Sequence, residues 1–139
     1  MKVLVDSSVL LDTFTEDPKW FEWSAIALAR AAETSQLVVN PIIYAEISVR
    51  FDRTEELDDA LPLERFAREA FPYDAAFLAG KVFLRYRRRG GQRTSPLPDF
   101  FIGAHAAVAG YRLLTRDPAR FRSYFPRLDL ISPDSPPPG

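Results

Sequence analysis

Residues 1–8 read MKVLVDSS: an apolar run, Val3-Leu4-Val5, ends in Asp6 and two hydroxyls. A short continuous run of this kind predicts a strand buried on both faces, as in a parallel sheet. Ser8 to Phe14 (SVLLDTF) follows at helical spacing, with Ser7 or Ser8 as its expected cap. Asp6 then stands at the carboxyl end of a buried strand, where open parallel sheets bind their ligands. A carboxylate there is either a helix cap or part of a site.

Working outward, the same alternation repeats. Trp20 to Thr34 reads as a helix with Trp20, Trp23, Ala27 and Ala31 on one stripe, expected to face the core or a partner groove. Leu37-Val38-Val39 is a second strand, and Asn40-Pro41 opens a helix running to about Phe51. Arg53 to Pro72 suggests two short helices, Glu55 to Ala60 and Leu63 to Ala70. Asp74 caps a helix over Ala75 to Arg89, with Ala76, Phe77, Gly80, Phe83 and Leu84 on its apolar face. After a Gly-, Arg- and Pro-rich loop, Asp99 to Gly110 is apolar nearly all round, so a buried helix is expected, with Gly110 as C-cap. Tyr111 to Thr115 and Leu128 to Ile131 read as strands, with a short helix after Asp117-Pro118. Strands alternating with helices imply α/β architecture, a parallel sheet covered on both faces. The expected domain is residues 1–132, and the Pro-rich tail, 133–139, is expected to be disordered.

The chain has 139 residues, one domain's worth, and no Cys, which removes disulfides and thiolate metal sites. No N-terminal signal pattern and no membrane-length apolar run occur, so a cytoplasmic, non-membrane protein is expected. The net charge of −1 conceals an asymmetry. Residues 1–80 carry 7 basic and 15 acidic side chains, whereas residues 81–127 carry 11 basic and 2 acidic ones. So one-sided a block favours a polyanionic partner. Its only acids, Asp99 and Asp117, therefore stand out.

Four acids occupy awkward positions. Asp6 ends the first strand, and Asp117 follows Leu113-Leu114-Thr115. Asp99 opens the apolar helix, and Glu46 shares a helix face with Ile42, Ile43 and Val49. In a parallel sheet Asp6 and Asp117 fall on one edge, with Asp99 near by. Each also has an ordinary explanation: caps for Asp6 and Asp117, dipole complementation for Asp99, a Glu46–Arg50 pair. Crowded together they would repel unless a cation neutralised them. An all-oxygen ligand set selects a hard ion, Mg²⁺ or Mn²⁺. Such an ion can activate water and neutralise a phosphodiester without any side-chain nucleophile. The single His, His105, lies six residues into the apolar helix and reads as structural. Arg85, Arg87, Arg88, Arg89 and Arg93 lead toward Asp99, and Arg112, Arg116, Arg120 and Arg122 surround Asp117. These are candidate phosphate contacts, with a solvated, dipole-favoured helix end as the alternative for the first group.

VLVDSSVLLD, NPIIYAEI, SPLPDFFIGAHAAVAG and LLTRDPARFRSYFP, in this order, resemble the blocks of the PIN-domain family, specifically its VapC-type toxins. The resemblance implies a three-layer α/β/α sandwich around a parallel sheet and a Mg²⁺- or Mn²⁺-dependent endoribonuclease. It implies Asp6, Glu46, Asp99 and Asp117 as catalytic metal ligands, with Ser8 and Thr115 as supporting polar residues. Where the family often has Thr-Asn after the first Asp, this chain has Ser7-Ser8. RNA contact is expected at Arg85, Arg88, Arg89, Arg93 and Arg116. The family further implies a homodimer, neutralised by a VapB-type antitoxin that alone brings the complex to operator DNA. Rival readings are a non-toxin RNA-processing PIN nuclease and a catalytically silent RNA-binding PIN module. A phosphatase with Asp6 as nucleophile would usually carry a second acid where this chain has Ser8.

Overall fold

The computed structural model describes residues 1–93 and 97–134. Five strands form one all-parallel sheet: β1 (Lys2–Val5), β2 (Gln36–Val39), β3 (Phe66–Arg68), β4 (Arg112–Leu114) and β5 (Leu130–Ile131), in the order β3-β2-β1-β4-β5. Val3, Leu4 and Val5 are all buried, because β1 is the central strand with both faces covered. The helices are α1 (Ser7–Phe14), α2 (Phe21–Thr34), α3 (Pro41–Ser48), α4 (Thr54–Ala60), α5 (Tyr73–Arg88), α6 (Pro98–Ala109) and α7 (Ala119–Tyr124).

The chain moves one way from β1 through β2 to β3, then crosses to β4 and β5 on the other side. Right-handed crossovers therefore put α1 to α4 on one face and α5 to α7 on the other. The packing of α1 on α2 and α3, and of α6 on α5 and α7, agrees with these layers. The result is the expected α/β/α sandwich. Among the described residues no helix is long and apolar enough to cross a membrane.

Local chemistry explains most boundaries. Asn40 Oδ1 accepts from the Ile43 amide at 2.9 Å, and Pro41 takes the first helical position of α3. Gly110 ends α6 in the left-handed conformation (φ 74°), which an L-side chain rarely adopts. Gly103 lets Phe125 of the α7 side lie against α6, since a Cβ there would meet the ring at 2.4 Å.

Three expectations fail, the smallest being the cap of α5: Pro72 holds the N-cap position and Asp74 lies within the first turn. Leu63 to Ala70 is not a helix: its Phe66–Arg68 core pairs with Leu37–Val39 as edge strand β3. The stretch is rich in helix formers, but ladder bonds to β2 and burial of Phe66 outweigh propensity. The α5 core face is also turned from the expected one. Ala75, Ala79 and Val82 are buried, whereas Tyr73, Phe77 and Leu84 are exposed. At the C-terminus, Pro133 and Asp134 form a turn in which Asp134 accepts from Arg122 Nη2 at 2.8 Å and Ser132 Oγ at 2.6 Å. The remainder of the expected disordered tail, residues 135–139, lies outside the described residues.

Candidate active site

The carboxyl ends of β1 and β4 adjoin, and the Asp6 amide donates to Leu114 O at 2.9 Å. This carries Asp6 and Thr115 past the ends of their strands side by side. Asp6 sits at the N-cap position of α1, yet its carboxylate makes no capping bond. Its Oδ2 instead accepts from Thr115 Oγ1 at 2.8 Å and Ser8 Oγ at 2.9 Å. Only 4% of Asp6 is exposed. The serines expected to cap α1 are thus directed at acids: Ser8 at Asp6, and Ser7 at Glu46 Oε1, 2.8 Å away.

Glu46 reaches this edge from the half-buried face of α3, and Asp99 from the first turn of α6. Asp99 Oδ2 pairs with Arg120 Nη1 at 3.0 Å. Asp117 is the most exposed of the four; its amide donates to Thr115 Oγ1 at 3.0 Å and its carboxylate pairs with Arg116 at 3.2 Å.

The electrostatics tie the four together. Burial raises the Asp6 pKa from 3.8 to about 7, the Thr115 and Ser8 bonds opposing, with the negative charges of Asp99 and Glu46 adding to the rise. Burial also raises Glu46, against its bond from Ser7, and the charge of Asp99 raises it further. Asp99 is raised by burial too, with Arg120 pulling it down and Asp117 pushing it up. Asp6, Glu46 and Asp99 thus each feel another acid as an unfavourable neighbour. The donor set suits a hard cation in kind, being all oxygen. As placed, though, each carboxylate turns to its own partner, and among the described residues no three acids or His are grouped as an ion's ligands.

A family model for the PIN domain matches residues 3–124. The chain belongs to the PIN-domain family. Solved structures share the fold at low identity. A chain in the VapBC2 complex from Rickettsia felis, bound to a promoter DNA fragment, aligns with a TM-score of 0.73 and 19% identity, covering 96% of this chain and 100% of that one. One in VapBC-1 from nontypeable Haemophilus influenzae gives 0.70 and 20%, covering 95% and 98%. One in FitAcB from Neisseria gonorrhoeae gives 0.65 and 17%, covering 93% and 96%. No curated protein sequence is significantly similar to the chain.

In this PIN domain the candidate RNA-binding arginines divide into groups. Tyr86 near the end of α5 packs 5.5 Å from Phe100, so the α5 terminus lies beside the start of α6. That places Arg88, Arg89 and Arg93 at the Asp99 end of α6, exposed, with Arg89 over the Tyr124 ring at 5.1 Å. Arg85, one turn earlier on α5, lines a cavity with Ala106, Ala107 and Tyr124. Arg116 also departs from expectation. Its Nε and Nη2 donate to Asp12 at 3.1 and 3.0 Å, its Nη1 to Asp117, and it lies 5.6 Å from the Trp20 ring. A guanidinium fork filled by two carboxylates is a structural cation, not a free phosphate contact.

Asp12 escaped the sequence reading. It is 2% exposed and also accepts from Ser24 Oγ at 2.8 Å. The signal was an acid embedded in the apolar run SVLLDTF.

Proposed function

We propose that this PIN domain is a metal-dependent endoribonuclease that acts as a VapC-type toxin. The observation that carries the reading is the buried Asp6 carboxylate, held by Thr115 and Ser8 at the adjoining ends of β1 and β4, with Asp99 and Glu46 as unfavourable charged neighbours. Acids brought to one sheet edge as mutually unfavourable neighbours are relieved when a cation draws their carboxylates together. Asp6, Glu46, Asp99 and Asp117 would hold it. A bound Mg²⁺ or Mn²⁺ supplies Lewis-acid chemistry, acidifying water and neutralising a phosphodiester.

The protein's own groups arrange that chemistry. Thr115 and Ser8 fix the Asp6 carboxylate by donating to one oxygen, which leaves the other for a ligand. Ser7 orients Glu46 in the same way. Arg88, Arg89 and Arg93 form an exposed basic rim on the Asp99 side, fitted to hold an RNA backbone. The reading calls for no side-chain nucleophile, and His105, 1% exposed and hydrogen-bonded to Asn40, stands apart from the acids.

The likeness to chains of VapBC and FitAcB complexes supports a toxin paired with a VapB-type antitoxin, and in this reading the pair is cytoplasmic. In this reading the toxin is a homodimer that meets operator DNA only through the antitoxin. The deciding experiment compares RNA cleavage by wild type and Asp99→Asn in Mg²⁺ and in chelator. The variant should lose Mg²⁺-dependent cleavage and keep its circular-dichroism spectrum. Full activity in Asp99→Asn would overturn the site.

A further inference from the structure

Two of the four acids ride on helices that one buried hydrogen bond ties together. Asn40 precedes α3, which carries Glu46, and His105 lies six residues after Asp99 on α6. Both side chains are buried, at 2% and 1% exposure. The Asn40 Oδ1 caps α3 by accepting from the Ile43 amide, so the direction of its amide group is fixed. Its Nδ2 then lies 2.9 Å from His105 Nδ1. An amide nitrogen only donates, so Nδ1 must accept. His105 is therefore neutral, with its proton on Nε2.

The rest of the pocket agrees with that tautomer. His105 Nε2 faces Glu69 Oε1 at 3.8 Å. Glu69 in turn accepts from Tyr111 OH and Lys2 Nζ, each at 2.8 Å. Phe71 packs edge-on to the imidazole at 5.8 Å. Burial holds the His105 pKa below its ordinary value, with Glu69 opposing.

We propose that Asn40 and His105 form a positioning clamp that sets the separation of the Glu46 and Asp99 helices. The clamp rests on the reading of the four acids as one metal centre. Helix α3 is short, and its buried anchors, Ile43 and Ile47, are apolar and non-directional. Directional bonds fix its rotation: Ser7 Oγ to Glu46 Oε1, Tyr44 OH to Asp58 Oδ1, and the buried Asn40–His105 bond, the one of these three that reaches α6. Glu46 is six residues from Asn40, and Asp99 six from His105. At 1.5 Å per residue each acid stands about 9 Å along its helix from the clamp. Ligand sets need placement within about 0.5 Å, so a small pivot at the clamp displaces one acid relative to the other.

The full chain tests this by Mn²⁺ calorimetry. Asn40→Ser keeps a capping oxygen but loses the amide donor. His105→Leu removes the acceptor, whereas His105→Asn offers an oxygen near the Nδ1 position. Asn40→Ser and His105→Leu should bind Mn²⁺ about tenfold more weakly, and His105→Asn should match wild type. Undiminished Mn²⁺ affinity in Asn40→Ser, with only its unfolding midpoint lowered, would reduce the bond to a structural one and overturn the clamp. Two-bond ¹H–¹⁵N spectra of wild type give an answer even where a variant fails to fold: a proton on His105 Nδ1 overturns it. Wild type that binds no Mn²⁺ sinks the metal-centre reading and the clamp with it, a result distinct from equal binding by wild type and variants.

Discussion

Replacing Asp6 by Asn should stabilise the metal-free protein at neutral and alkaline pH. Folding raises this carboxyl from 3.8 to about 7, mainly by burial. The folded state therefore binds the proton more tightly than the unfolded chain. The stabilisation from protonated Asp6 is complete below 3.8 and is lost as pH rises through 7. The rise in pKa, at 1.36 kcal/mol per tenfold change in proton affinity, amounts to about 4 kcal/mol. Asparagine carries no charge, and its Oδ1 still accepts from Thr115 and Ser8. The assay is thermal unfolding in chelator from pH 4.5 to 8, wild type beside Asp6→Asn. The difference between the two isolates Asp6 from every other titrating group. Wild type should fall progressively behind the variant, by ~10 °C at pH 8 for about 4 kcal/mol in a domain of this size. Adding Mn²⁺ at pH 8 should raise the wild-type midpoint and leave the variant where it is. A variant less stable than wild type at pH 8, or a difference that does not change with pH, refutes the reasoning.

Arg116→Leu should destabilise the protein by about 3–5 kcal/mol in urea, because it strands the buried Asp12 carboxylate without its fork. Adding Asp12→Asn should recover most of that loss, and a loss below about 1 kcal/mol in the single variant would mean the pair is not structural. Arg88→Ala, Arg89→Ala and Arg93→Ala should each weaken single-stranded RNA binding and reduce the slope of log K against log salt by about 0.7. Mn²⁺ affinity should stay at the wild-type value in all three.

What was legible in the sequence follows from the range of the forces involved. Val3-Leu4-Val5, Asn40-Pro41 and Gly110 announce their structures because burial pattern, cap and left-handed turn are local properties. Phe66–Arg68 does not, because its strand state exists only through pairing with β2. The rotation of α5 was hidden for a related reason. Either face offers enough apolar residues, and contact with α6 selects Ala75, Ala79 and Val82. The acids divide the same way. An acid ending a buried strand or opening an apolar helix is conspicuous, so Asp6, Asp99 and Asp117 could be picked out one at a time. Their partners are not local: Thr115, 109 residues from Asp6, enters through the family resemblance, and the Asp12–Arg116 pair, 104 residues apart, goes unseen. The cap expected of Ser7 or Ser8 fails as well. Ser7 and Ser8 stand where caps usually stand, but a cap contributes only about 1 kcal/mol. A buried carboxylate without donors costs more than that. The two serines accordingly serve Glu46 and Asp6, and α1 begins without a side-chain cap. That exchange of helix stability for control of two acids is itself an argument that the edge of β1 is held for chemistry.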